Sequence, residues 1–250
     1  MRWRNTYLCV FALLFLSSCA ALQIDIPNAD LQPYAVQGRL GLQINQKVKF
    51  AEYETRYIKR SWDKSHSRAT GFSTASGTAF IGRERKNNTL TFALTDPSGK
   101  QAEIFLSSSL KSEHLYVNKG ENMEVNAKRY RKRDGRDNLC YAHIYLLDES
   151  SPWELSIDNA AVDMYQGGDI GEIGFNNELY YTIKLTHHTK PKTISKIPSG
   201  FLFEDKYGEI VAAVSLIDQG TVFLKQGNEK ERLLLGTASL ALLLNERFTD

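Results

Sequence analysis

The chain has 250 residues, 42% hydrophobic and 24% charged, a composition that excludes a disordered tail, a collagen-like fibre and a polytopic membrane protein. The formal net charge is +2, and Arg2 and Arg4 account for both excess cations; without the first eighteen residues, 29 basic side chains face 29 acidic ones. A neutral chain has no long-range attraction for nucleic acid, and none is expected as a partner.

The opening MRWRNTYLCVFALLFLSSC joins basic Arg2 and Arg4 to an apolar stretch from Tyr7 to Leu16, followed by Ser17, Ser18 and a cysteine. This is the layout of a secretory signal, too short to stay in a bilayer as a spanning helix. Leu16, Ser17, Ser18 and Cys19 resemble the lipobox of bacterial lipoproteins. That resemblance implies removal of residues 1–18, diacylation of the Cys19 sulfur and a further acyl chain on the new N-terminus. Ala20, standing where Asp would mark inner-membrane retention, resembles the class sorted to the outer membrane and facing the periplasm. At ~0.8 kcal/mol per buried CH₂, two or three acyl chains anchor a protein stably, so the remaining chain can be soluble. Cys9 leaves with the signal, and Cys140 is then the only mature thiol besides the lipidated Cys19. No intramolecular disulfide is expected, and Cys140, within LCYAHIYLL, reads as a small buried hydrophobe.

Residues 19–35, with Pro27 and Pro33, read as the lipidated N-terminus and a tether, and residues 36–250 as one domain. VQGRLGLQI puts Val36, Leu40, Leu42 and Ile44 on one face of a strand, and KVKFAEYETRYI continues with Val48, Phe50, Tyr53 and Tyr57. Further strands are expected at 90–95, 102–107, 114–117, 140–147, 180–187, 200–204, 209–217 and 221–226. Many short strands joined by Gly, Asn and Asp turns predict a mainly β (α+β) fold, an antiparallel barrel or sandwich. Phe92, Asp96 and Gly99 repeat the spacing of Phe201, Asp205 and Gly208, which is the chemistry of two tight turns. The segment from Asp158 to Glu178, acidic and without alternation, reads as a loop with a short helix.

EKERLLLGTASLALLLNERF predicts a helix over about 229–247, N-capped by Asn228 with Glu231 three residues on. Seven leucines between Leu233 and Leu244 point all round its axis, so the helix has no solvent face and must be enclosed. Its twelve-residue apolar run cannot cross a ~30 Å hydrocarbon layer. Strands followed by a wholly apolar helix, in the order GFLFEDKYGEIVAAVSL, TVFLK, ERLLLGTASLALLL, resemble the end of the tubby-like and phospholipid-scramblase-like group. That likeness implies a β-barrel wrapped around a C-terminal hydrophobic helix. A second likeness, through YAVQGRLGLQI, is to the outer-membrane lipoprotein-receptor type of half-barrel, from which the long C-terminal helix departs.

Enzyme signatures are nearly absent: there is no GxSxG, HExxH, phosphate-binding glycine loop or CxxC. Ser61 to Lys64 and Ser108 to Lys111 match SxxK without its partner motifs. Asp163, Asp169 and Glu172 fit no calcium loop, and His187 and His188 point to opposite faces of a strand, so neither a metal nor a cofactor is assigned. The remaining candidate is KRYRKRDGR, where Lys128, Arg129, Arg131, Lys132, Arg133 and Arg136 surround Tyr130, with Asp134 and Gly135 expected at a hairpin tip. Arginine forks bind phosphate bidentately, so these six could grip lipid headgroups or anionic envelope polymers, whereas as a solvated charge run they would keep an edge strand from aggregating. The expectation is a membrane-anchored envelope lipoprotein acting as a non-enzymatic binding or scaffolding module, with acyl-chain handling inside the barrel as the alternative and an envelope hydrolase third.

Overall fold

The structure, a computed structural model, describes residues 23–27, 30–40, 45–61, 65–74, 77–119, 122–130, 138–163, 168–190, 193–194 and 197–245. The early strands are β1 (Gln23–Ile24), β2 (Gln32–Ala35), β3 (Lys49–Phe50), β4 (Tyr53–Arg60), β5 (His66–Thr74) and β6 (Gly77–Thr95). The middle of the chain forms β7 (Gln101–Lys119), β8 (Asn122–Tyr130), β9 (Leu139–Leu146) and β10 (Trp153–Asp158), then the five-residue helix α1 (Asn159–Asp163). There follow β11 (Asp169–Phe175), β12 (Glu178–Thr186), β13 (His188–Lys190), β14 (Thr193–Ile194), β15 (Gly200–Asp205), β16 (Ile210–Ser215), β17 (Thr221–Leu224) and the helix α2 (Glu229–Leu244).

Twelve strands follow one another antiparallel in the order β2-β17-β16-β15-β12-β11-β10-β9-β7-β6-β4-β3. The two ends of this path meet just past β2, where Gln37 and Lys49 exchange N–H···O=C bonds of 2.9 and 3.0 Å. The sheet is thus a nearly closed barrel, and alternation decides what fills it. Along β9, Cys140, Ala142, Ile144 and Leu146 point inward, while Tyr141, His143 and Tyr145 point out; Trp153, Leu155 and Ile157 on β10 repeat the pattern. Eight-stranded barrels are filled by their own side chains, but twelve strands leave room for a helix roughly 10–12 Å across.

α2 takes that space. Every residue from Arg232 to Leu244 is buried, and the leucines belong to one core with inward residues from all round the ring. Asn228 caps the helix, its side chain accepting from the Lys230 N–H at 3.0 Å, and Asn245 ends it. The first turn is held by radial contacts: Glu229 pairs with Lys100 between β6 and β7, and Lys230 with Glu149 after β9. Tyr181 of β12 donates to Glu231 at 3.0 Å, and Arg232 donates to both oxygens of Glu52, between β3 and β4, at 2.8 and 3.1 Å. Contacts in four directions around the rim place the axis of α2 inside the barrel. Exposed ion pairs contribute at most about 1 kcal/mol each, so leucine burial holds the helix while the pairs fix its rotation. Gly236 lets the helix pack closely on β3, because a Cβ there would meet the Phe50 ring at 3.3 Å and the ring would have to give by a few tenths of an ångström.

Several elements differ from the expectations. The strand placed at 36–44 lies earlier, at Gln32–Ala35, inside the segment read as a tether; Leu40 is exposed, and 41–44 lie outside the described residues. Pro33 tolerates this position because Val36 N–H bonds to Gly220 on the β17 side and Gln37 N–H to Lys49 on the other. By alternation, the missing Pro33 N–H falls on the side where β2 has no ladder. Gln23–Ile24 pairs with β13, and Ile24, Ile26 and Leu31 cover the outward faces of Leu202, Ala213 and Phe223, so this stretch belongs to the domain. Residues 169–175 form a strand rather than a loop, turned back by Asn176 and Asn177, whose φ values of 51° and 66° fit a type I′ hairpin. The separate runs at 102–107 and 114–117 lie on one nineteen-residue strand, β7. α2 stops at Leu244 instead of about 247. The two FxxxDxxG turns share one geometry: Asp96 and Asp205 each accept from the backbone four residues on at 2.9 Å, and Gly99 and Gly208 take φ of 87° and 80°.

Two predictions follow from enclosure. Asp substituted singly at Leu234, Leu235, Leu240 or Leu242 should prevent folding, because no direction around α2 faces water; soluble, cooperatively melting protein from any one of them would contradict it. The Glu52 carboxyl is held below the usual carboxylate range, for although burial pushes it up, the hydrogen bonds from Arg232 outweigh that. A carboxyl depressed in the fold stabilises above its unfolded pKa and ceases to as pH falls through the folded one. Glu52→Gln should therefore lower the urea midpoint at pH 7, and the difference from wild type should shrink as pH falls through and below the usual carboxylate range.

Candidate functional site

The nineteen-residue strands β6 and β7 are longer than the barrel wall needs. β4 and β9 pair only with the halves nearest α2, at Leu90–Thr95 and Ala102–Ser108. Their other halves run on and are flanked by β5 and β8, which makes a four-stranded arm, β5-β6-β7-β8, beyond the barrel rim. The register shows that β8 and β9 both run antiparallel to β7 and follow one another along the same edge. They are not the two strands of one hairpin. Asp134 and Gly135, expected at a hairpin tip, lie outside the described residues, and the strands before and after them both pair with the long β7.

Of the six cations singled out in this run, Lys128 and Arg129 lie on β8 at the base of the arm, and Arg131, Lys132, Arg133 and Arg136 lie outside the described residues, as does Cys19. Lys128 pairs with His114 and Arg129 with Glu113, so successive positions place these two on opposite faces of the sheet. The register joins Arg129 to cations the sequence reading did not single out. One row runs Arg68, Arg83, Glu113, Arg129, and the row two residues nearer the barrel runs His66, Arg85, Lys111. Both rows share one face. His66, Arg68, Arg83 and Arg85 are exposed and Lys111 is half-buried. The missed signal was period two: His66-x-Arg68 and Arg83-x-Arg85 each put two cations on one side of a strand.

β6 and β7 pair without a register shift, so this face continues onto the outer wall of the barrel. There Phe105 and Tyr145 stand 47% and 40% exposed with rings in edge-to-face contact at 5.9 Å. Beside them is a wall groove of about 300 Å³ lined by Tyr141, Glu154, Ser156, Glu172 and Glu178. The Tyr141 hydroxyl lies 2.8 Å from His143 Nε2; burial and a hydrogen bond to Glu154 push its pKa up to about 12, keeping it a neutral donor. The groove can receive hydroxyl groups. It presents no activated nucleophile.

Other candidate chemistry is dispersed by the fold. Ser108 is buried and accepts from Asn159 at 3.0 Å, whereas Lys111 lies on the opposite face of β7, so the two cannot act as a pair. Ser61 accepts from the Thr89 N–H at 2.8 Å, and Lys64 lies outside the described residues. Asp169 pairs with Lys184 at 3.7 Å. Cys140 is fully buried inside the barrel beside Asn245. Among the described residues, no group of three or more His, Cys, Asp or Glu is placed to hold a metal ion, and no helix is long and apolar enough to cross a membrane. Compared with known protein families, characterised proteins and solved structures, the chain matches none.

Replacing Arg68, Arg83 and Arg85 with Ser should leave the thermal midpoint within about 2 °C of wild type, since exposed charges contribute little. The triple variant should elute from phosphocellulose at distinctly lower salt. Unchanged elution would mean that the face does not engage phosphate.

Proposed function

We propose that the protein is a lipid-anchored lipoprotein of the bacterial envelope, on the periplasmic side of the outer membrane, that acts as a non-enzymatic binding or scaffolding module. The observation that carries the binding role is the filled barrel. Its interior is occupied by α2 from Arg232 to Leu244, so recognition falls to the outer faces, where the register gathers His66, Arg68, Arg83, Arg85 and Lys111 on one face of the arm. Anionic lipid headgroups or anionic envelope polymers are its chemical complement. An acyl chain sheltered inside the barrel would have to displace buried leucines, which favours the outer-surface role over acyl-chain handling.

Anchoring rests on Leu16, Ser17, Ser18 and Cys19 together with the basic and apolar segments before them. Cys19→Ser should abolish incorporation of a fatty-acid analogue and move the protein from the membrane fraction to soluble periplasm or uncleaved precursor. A Cys19→Ser variant that still takes up label and stays in the membrane would overturn the proposal.

A further inference from the structure

The groove on the outer wall of the barrel exists because a side chain is missing from the sheet. One row across β7, β9, β10, β11 and β12 runs Phe105, His143, Glu154, Gly174, Leu179, and the next runs Ser107, Tyr141, Ser156, Glu172, Thr182. Gly174, at the register shift of β11, leaves nothing standing between Glu154 and Leu179, and a Cβ there would meet the Glu178 carbonyl oxygen at 2.9 Å. The floor is therefore backbone at Gly174, and the carboxylates and hydroxyls of the neighbouring positions form the walls. A volume of about 300 Å³ is at the small end for a ligand site, enough for one unit of a longer chain that continues over the rim.

Among the described residues, Glu154, Glu172 and Glu178 receive no hydrogen bond or ion pair from Lys or Arg. Glu154 is oriented by His143, whose Nε2 lies at 3.8 Å, and by a hydrogen bond with Tyr141; Glu178 accepts from the Tyr180 hydroxyl at 3.5 Å; Glu172 is exposed and without a partner. Uncompensated carboxylates repel an anion, so the groove takes a different ligand from the cationic arm. Nor do they converge on one cation. Glu154 faces Gly174 and Glu172 faces Ser156, which sets the two on a diagonal of the ladder, ~7–8 Å apart at their Cα atoms. No three of the acidic groups are placed to hold a metal ion. Acceptors spread in this way, with the Ser156 hydroxyl beside them, meet separate donors, and each carboxylate can accept from two adjacent hydroxyl groups.

Both ends of the groove are apolar. Phe105 and Tyr145 stand exposed on one side, and Leu179 and Tyr180, 55% and 37% exposed, on the other. A sugar ring presents O–H groups at its edge and C–H groups on its faces, so exposed rings beside spaced acceptors match both parts of it. A compact polyamine would use the carboxylates and leave the rings in water. We propose that the groove on β9, β10, β11 and β12 binds a neutral saccharide chain, its hydroxyl groups donating to Glu154 and Glu172 and a sugar face lying on Phe105 and Tyr145. This is a second binding surface, separate from the arm and of opposite charge.

Saturation-transfer difference NMR on the purified protein, with cellohexaose, maltohexaose and chitohexaose as probes, reports binding even when it is weak. At least one probe should receive saturation, and its binding should persist at high salt because it carries no charge. Titrated with that probe, Glu172→Ala should weaken binding at least about tenfold and Phe105→Ala at least about threefold, by loss of a charged acceptor and of a stacking surface. The urea midpoint should not move, both side chains being exposed. The variant with Arg68, Arg83 and Arg85 replaced by Ser should bind the probe as wild type does, which keeps a failure of the arm apart from a failure of the groove. Saturation of none of the probes, or binding indifferent to both Glu172→Ala and Phe105→Ala, would overturn the proposal. So would salt-sensitive binding of spermine in place of the sugars, which would make the groove a cation site. A sedimentation coefficient that rises with concentration in wild type but not in Phe105→Ala would assign the face to a second copy of the chain and overturn it as well.

Discussion

A helix with leucine on every side cannot rest against a single surface, and the architecture answers that constraint. From Leu233 to Leu244 each turn of α2 presents apolar surface in all directions, and even Thr237 and Ser239 are fully buried. Thr237 returns its hydroxyl to the Leu233 carbonyl at 2.7 Å, which leaves its methyl to pack. Sixteen residues at 1.5 Å make a rod of about 24 Å, close to the reach of the eight-residue strands β4 and β9 around it. The strands thus form a sleeve one helix long, and the excess length of β6 and β7 has to leave the barrel as the arm.

Charge is confined to the first turn of this rod. The buried Arg232 keeps its proton despite burial because Glu52 and Tyr34 accept from it, and its guanidinium lies over the Tyr34 ring at 5.6 Å. Tyr34 belongs to β2, and Glu52 lies between β3 and β4, so one arginine touches both sides of the seam that a single pair, Gln37–Lys49, closes. The N-terminal stretch reinforces the adjoining wall. β15, β16 and β17 are buried on both faces, by α2 within and by Ile24, Ile26 and Leu31 without.

The enclosed helix was the most legible element, because leucine on all sides of a 3.6-residue period admits one physical solution. Strands with clean alternation, such as Cys140–Leu146, were legible for the same kind of reason. The two-sided burial of β15–β17 was also written in the sequence, as apolar runs without alternation at GFLFE and IVAAVS, but the cover it called for lay in residues read as a tether on account of Pro27 and Pro33. The polar middle of β6, RKNNT, and of β7, SSSLKSE, gave no strand signal, since cross-strand pairing rather than burial holds them. The candidate site suffered most from that. Lys128 and Arg129 stood out as a contiguous run, whereas His66, Arg68, Arg83 and Arg85 become one face only through a register between strands that no local pattern specifies.

Amide hydrogen exchange on the isolated protein tests the enclosure directly. If α2 runs through the closed barrel, the amides of Leu234–Leu244 can exchange only when the sheet opens as a whole. They should be the slowest in the molecule, with an opening free energy equal to that of global unfolding by urea. Exchange of α2 at a markedly lower free energy, while β9, β10 and β15 remain protected, would show a helix that leaves the sheet without unfolding it and would contradict the account.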